Sequence, residues 1–202
     1  MKKILFWNGL LTIALLSAAC GSQNEFGGTE NLKDASLSWI PFAGNEQVVF
    51  KNVNGDSLVF KGGTKSLKYA REITGCDGGT WNSGGCIEND LQQQSISFQC
   101  TDPKLALNYL LAVKKTNETR WDILTVSLLE NNTKKTTFSF DVTQVGIPNS
   151  HESFFYGDSV KIAGKNFAEV FRNKTTGSYN VYYNKSQGVV GFELGDGSQW
   201  AK

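Results

Sequence analysis

From Leu37 onward the chain is a succession of short segments rich in branched and aromatic residues, each closed by a cluster of small or polar turn formers. No other feature restricts its fold as much. The clearest case is Val48-Val49-Phe50-Lys51-Asn52-Val53 and Ser57-Leu58-Val59-Phe60-Lys61 on either side of Asn54-Gly55-Asp56. An Asn-Gly pair tolerates the positive φ of a tight hairpin, so these two segments are expected as antiparallel neighbours. Further strands are expected at 66–73, 92–101, 104–115, 120–129, 134–142, 159–163, 168–173, 178–184 and 189–194. Thr116-Asn117-Glu118, Asn131-Asn132, Lys174-Thr175-Thr176-Gly177 and Lys185-Ser186-Gln187-Gly188 supply turns between some of them.

One segment also invites a helix. Asp102-Pro103 is a good helix start for the run Leu105 to Val113. The same run alternates, placing Leu105, Leu107, Tyr109, Leu111 and Val113 on one sheet face, and this favours the strand. With three prolines and 21 glycines, and no repeat of fixed period, the pattern predicts a single all-β domain over 36–202. Its expected form is an antiparallel sandwich or lipocalin-like barrel of about ten strands.

Four cysteines occur, at Cys20, Cys76, Cys86 and Cys100. Cys76 and Cys86 bracket a loop with four glycines, so the preferred disulfide joins them, while a Cys86–Cys100 bridge stays open as the alternative. Cys100 alternates with Phe98 and Ile96 and is expected to face the core as a small hydrophobe. No Cys-x-x-Cys occurs and the chain has a single His, which argues against thiol redox chemistry and a zinc site; no metal and no cofactor is expected. Trp81, at the centre of the glycine-rich loop, either presents a ring to a ligand or packs on the sheet.

His151 sits beside Glu152 in the polar loop Pro148-Asn149-Ser150-His151-Glu152-Ser153, with no second His and no nucleophile at recognisable spacing, so it reads as solvated. Glycoside hydrolysis needs only two carboxylates. Glu46, Asp56, Glu72, Asp122 and Glu169 show no spacing that singles out a pair, and they are expected on solvent faces.

The first residues carry a different signal. Lys2 and Lys3 precede a short apolar run, which ends in Ser17-Ala18-Ala19-Cys20, the order of a secretory signal over 1–19. Leu16-Ser17-Ala18-Ala19-Cys20 resembles the lipobox of bacterial lipoproteins, with Ser17 where that family places Leu, Val or Ile. The resemblance implies cleavage before Cys20 and acylation of its thiol and amine, hence partnership with a membrane through lipid. Acyl burial at about 0.8 kcal/mol per CH₂ makes a multi-chain anchor stable. Cleavage would leave 183 residues with 18 basic against 19 acidic side chains, and so no basic field for nucleic acid. Residues 20–35, poor in apolar side chains, are expected as a flexible tether.

The C-terminal stretch is read as two strands joined at Lys185 to Gly188, followed by an Asp196-Gly197 turn and Trp200. Tyr179, Val181 and Tyr183 are expected on one face, and Val190 and Phe192 on one face of the next strand. Together with Trp39-Ile40-Pro41-Phe42, Gly44, Val48-Val49-Phe50 and Gly55-Asp56-Ser57, this stretch resembles a group of all-β lipoproteins of Bacteroidota. The resemblance implies an envelope location, read as the outer membrane, and brings no activity. Asp56-Ser57-Leu58 and Asp158-Ser159-Val160 are similar to the short O-glycosylation sites of that phylum.

These readings lead to a non-enzymatic envelope lipoprotein whose β domain binds a protein or glycan partner. The alternative is a lipocalin-like carrier of a small apolar ligand, with a hydrolase third. A carrier requires a chamber, whereas 13 Phe and five Trp favour a filled centre.

Overall fold

The hairpin around Asn54-Gly55 forms as expected in the computed structural model, which describes residues 24–76, 85–116, 119–143, 154–173 and 179–202. β2 (Gln47–Lys51) and β3 (Ser57–Gly62) pair in register from Gln47↔Lys61 to Lys51↔Ser57. Gly55 takes φ 91°, and the Asn52 side chain accepts from the Asn54 and Asp56 amides at 3.0 and 2.9 Å.

Four longer antiparallel strands follow: β5 (Cys86–Cys100), β6 (Leu105–Lys115), β7 (Arg120–Glu130) and β8 (Thr133–Asp141). Leu105, Leu107, Tyr109, Leu111 and Val113 of β6 are all buried, so the alternating pattern prevails over the helix start at Asp102-Pro103, whose peptide bond is cis. The remaining strands of the path are β9 (Phe154–Ile162), β10 (Lys165–Asn173), β11 (Asn180–Asn184), β12 (Gly188–Glu193) and β13 (Gln199–Ala201). A pair between Ala201 of β13 and Lys51 of β2 joins this C-terminal block to the N-terminal hairpin. The sheet then runs β8-β7-β6-β5-β3-β2-β13-β12-β11-β10-β9.

The result is a nearly closed, barrel-like antiparallel sheet forming one domain, with 11 strands on its path among the described residues, close to the ten expected, and two more pairing with β5. Its two ends, β8 and β9, do not pair among the described residues. Aromatic packing bridges the seam instead: Phe140 of β8 stacks on Phe171 of β10 at 5.0 Å and meets Phe154 of β9 at 5.4 Å.

Three expectations are corrected. Residues 20–35 are not a tether throughout: β1 (Glu25–Glu30) pairs in parallel with β5, and α1 (Asp34–Leu37) follows. Asp122 is fully buried rather than solvated. Val190 and Phe192 part company, because a register shift at Tyr182/Tyr183 of β11 bulges the opposing strand. Phe192 then enters the barrel core, while Val190 joins Tyr182, Ile162, Val170 and Ala201 in a small outer cluster under the β9–β10 hairpin.

The disulfide joins Cys76 to Cys86, and Cys100 is a buried free thiol. Cys20, Trp81, His151, Glu152 and the signal segment 1–19 lie outside the described residues.

Candidate interaction surface

Three places bring distinctive side chains together: the barrel interior, a polar clasp beneath α1, and an arm in which β5 is flanked by two strands off the barrel path.

The interior is crossed by rings. Phe50, Phe60 and Phe192 form a triangle with centroids 5.1 to 5.8 Å apart. The stretch Trp39-Ile40-Pro41-Phe42 adds to this packing from the loop before β2. Trp39 spans the seam, contacting Phe140, Phe171 and Tyr183 at 5.2, 5.8 and 6.3 Å. Phe42 packs on Phe98 and Tyr109 at 4.6 and 5.4 Å. Gly188, at φ 76°, leaves it room, since a Cβ there would come within 2.6 Å of the Phe42 ring. The two buried phenol hydroxyls are paired: Tyr183 donates to the Trp39 carbonyl, and the Val189 amide donates to Tyr109 at 3.0 Å. Burial pushes both phenols well above their ordinary range, so they stay neutral.

The clasp forms around Asp122 of β7. Its Oδ2 accepts from Ser36 Oγ at 2.6 Å and from the Lys33 amide at 3.0 Å, and Arg120 pairs with Oδ1 at 3.0 Å. Arg120 also meets Glu30 at 3.5 Å and donates to the Asn31 carbonyl, while Lys115 pairs with Glu30. Carboxylate and guanidinium thus form an ion pair tied to the backbone where α1 crosses the barrel wall, while Asp122 Oδ1 and Arg120 Nη1 make no hydrogen bond among the described residues. The arrangement ties an N-terminal segment down; it sets no two carboxylates around an open site.

The other expected surface carboxylates are dispersed. Glu72 pairs with Lys114 at 3.0 Å, Asp56 accepts from Asn52 at 2.8 Å, and Glu169 lies exposed at φ 52°. Glu46 accepts from the Ala43 and Gly44 amides. Among the described residues no group of three or more His, Cys, Asp or Glu is placed to hold a metal ion, and no helix is long and apolar enough to cross a membrane.

The arm is built on β5, which is longer than its barrel neighbours require. Its C-terminal part lies between β6 and β3, but from Ile87 to Leu91 it lies between β1 and β4 (Ser66–Cys76). The Cys76–Cys86 bridge links β4 to β5 at the far end of their ladder. Leu67, Tyr69, Arg71 and Ile73 lie opposite Gln94, Gln92, Asp90 and Glu88, and Phe26 of β1 lies opposite Glu88, so these residues share one face. That face is wet: Phe26, Leu67, Tyr69 and Ile73 are 58, 55, 50 and 60% exposed. Arg71 stiffens it by pairing with Asp90 at 3.0 Å and lying 5.4 Å from the Phe26 ring. Tyr69 donates to Asn31 at 2.7 Å and accepts from Gln92 at 3.0 Å.

Sequence reasoning did not identify this surface. In β4 the odd positions are Leu, Tyr, Arg and Ile and the even ones Lys, Ala and Glu, a pattern that ordinarily marks a strand with its apolar side on a core. A shallower feature lies on β9–β10, where Phe155, Tyr156, Lys161 and Arg172 line a cleft of about 400 Å³ and Arg172 covers the Phe155 ring at 4.9 Å.

No family model, no curated protein and no solved structure matches the chain.

Proposed function

We propose that the chain is an envelope lipoprotein, anchored through lipid on Cys20, whose β domain is non-enzymatic and binds a protein or glycan partner through the arm. The observation that carries the reading is the exposed row Leu67, Tyr69 and Ile73 with Phe26 beside it. Scattered surface apolar residues are ordinary, but four large ones on one face of a disulfide-linked ribbon resemble an interaction patch. Polar Gln92, Glu88 and Asp90 run beside them on the same face, as at the rim of a reversible interface. The carrier reading is weaker, because Trp39 and Phe42 occupy interior space that an apolar ligand would need.

The test begins with native mass spectrometry of the protein purified from its own envelope. Acyl mass on Cys20 is expected, and an unmodified Cys20 removes the anchor. A photo-reactive residue at Leu67 should then give a discrete cross-linked product in intact envelopes. Loss of that product on Ile73→Lys supports the arm, and its persistence or complete absence counts against it. A small apolar mass retained by the delipidated domain would favour the carrier.

A further inference from the structure

The arm has a free edge. β4 is hydrogen-bonded to β5 along one side, and its other side pairs with no strand among the described residues. An edge of 11 residues with exposed side chains on both faces is a template for another strand unless something blunts it. Here the composition of the edge selects its own complement.

Set antiparallel to a second copy with the two-fold axis at Ala70, β4 matches itself position by position. Lys68 then lies opposite Glu72 of the second copy, Tyr69 opposite Arg71 and Leu67 opposite Ile73, with Ala70 opposite Ala70; the regular part of the edge ends at Ile73, where the strand bulges at Thr74. Each match is favourable: opposite charges, a cation over a ring, two branched aliphatic chains, and two methyls at the axis. Every match except the one on the axis occurs twice by symmetry, as an isologous interface requires. The neighbouring registers lose it, since a slip of one residue places Lys68 opposite Arg71 or opposite Ile73. Lys68 has no acidic partner among the described residues of its own chain, whereas Arg71 and Glu72 are already held in place by Asp90 and Lys114. The second copy supplies what Lys68 lacks.

We infer that two copies of this chain join edge to edge through β4, in antiparallel register about Ala70, so that the two arms form one continuous six-stranded sheet. The inference rests on the arm being the binding element and names its partner as a second copy. In that sheet the Phe26, Leu67, Tyr69 and Ile73 rows of both copies lie on one face and double the apolar surface open to any further partner.

Cysteine cross-linking of the full chain in its own envelope tests the register. Residues directly opposite in an antiparallel pair have Cα atoms about 4.5 or 5.5 Å apart, inside disulfide reach. Ala70→Cys should therefore give a covalent homodimer on mild oxidation. Lys68→Cys should not, because the two copies of position 68 would be about 13 Å apart along the strands. The wild-type chain is the control for Cys20, Cys76, Cys86 and Cys100. Leu67→Cys co-expressed with Ile73→Cys should give the mixed dimer while neither does alone, and these exposed positions spare the fold if Ala70→Cys disturbs it. Adding Lys68→Glu to Ala70→Cys sets Glu against Glu and should reduce the dimer band severalfold.

Equal cross-linking at positions 68 and 70, or none at 70 and none in the mixed pair, overturns the inference. A photo-adduct at Leu67 with some other protein, with no homodimer in either cysteine test, overturns it while leaving the arm as a binding surface. A homodimer with no further adduct keeps it and makes the second copy the arm's partner.

Discussion

Tyr183 reaches from β11 through the barrel interior to donate its hydroxyl proton to the main-chain carbonyl of Trp39, 144 residues earlier in the chain. The bond fixes an irregular loop against a regular wall, and both ends are buried. Tyr183→Phe keeps the ring but strands the carbonyl in an apolar surrounding, with a cost of about 1–3 kcal/mol. Denaturant unfolding should show the loss as a lower midpoint with an unchanged slope. A midpoint equal to that of the wild type would show that the carbonyl has another partner.

Trp39 itself fills the seam that β8 and β9 leave open. It contacts rings from β8, β10 and β11, and Lys185 lies 4.9 Å over its outer side. Trp39→Ala should cost about 3–5 kcal/mol and leave a cavity lined by Phe140, Phe171 and Tyr183. Apolar cavities of this kind stay dry and accept small aromatic molecules. Benzene or indole should therefore raise the melting temperature of the variant and leave the wild type unchanged. Stabilisation of both proteins alike would place the binding site elsewhere and revive the carrier reading.

The strand pattern conveyed what adjacent residues decide. The Asn54-Gly55 turn and the alternating apolar set of β6 were legible because each depends on neighbours in sequence. β1 was not, since Glu25-Phe26-Gly27-Gly28-Thr29-Glu30 contains one large apolar side chain and draws its order from a ladder with β5, about 60 residues away. Closure into a barrel depends on a single pair, Ala201↔Lys51, between opposite ends of the chain, which no local pattern encodes. Asp122 is a different case. It lies in phase with Leu124, Val126 and Leu128, so the alternation already placed it on the core face; its charge argued for solvent, and the clasp reconciles the two.

That clasp should behave as a local latch. Asp122→Ala removes the acceptor for the Lys33 amide and for Ser36 Oγ, and leaves Arg120 with Glu30 and the Asn31 carbonyl. Breaking a buried pair from one side costs about 3–5 kcal/mol. Because α1 and β1 meet the barrel wall here, the loss should appear first as hydrogen exchange at residues 24–37. The amides of β11 and β12 should keep their protection until global unfolding. Uniform loss of protection throughout the chain would make Asp122 part of the central core rather than a latch.

The loop that carries Phe42 inward has its own electrostatic lock, and that lock has a pH window. Burial alone would raise the Glu46 carboxyl, but the amides of Ala43, Gly44 and Glu46 itself, with Lys65 nearby, outweigh it and hold the group below its ordinary value of 4.5. The fold therefore favours the carboxylate. Its contribution is complete above the unfolded value, is lost as pH falls through the lower folded value, and is absent in stronger acid. The loop needs this fixing, since Gly44 and Asn45 both hold positive φ, at 117° and 65°. Glu46→Gln should be less stable than the wild type at pH 7, and the gap should narrow as pH drops below about 4.5 and close in stronger acid. Exchange at residues 43–46 should follow the same course. A gap that stays constant from pH 7 to pH 3 would mean that shape, not charge, holds the loop.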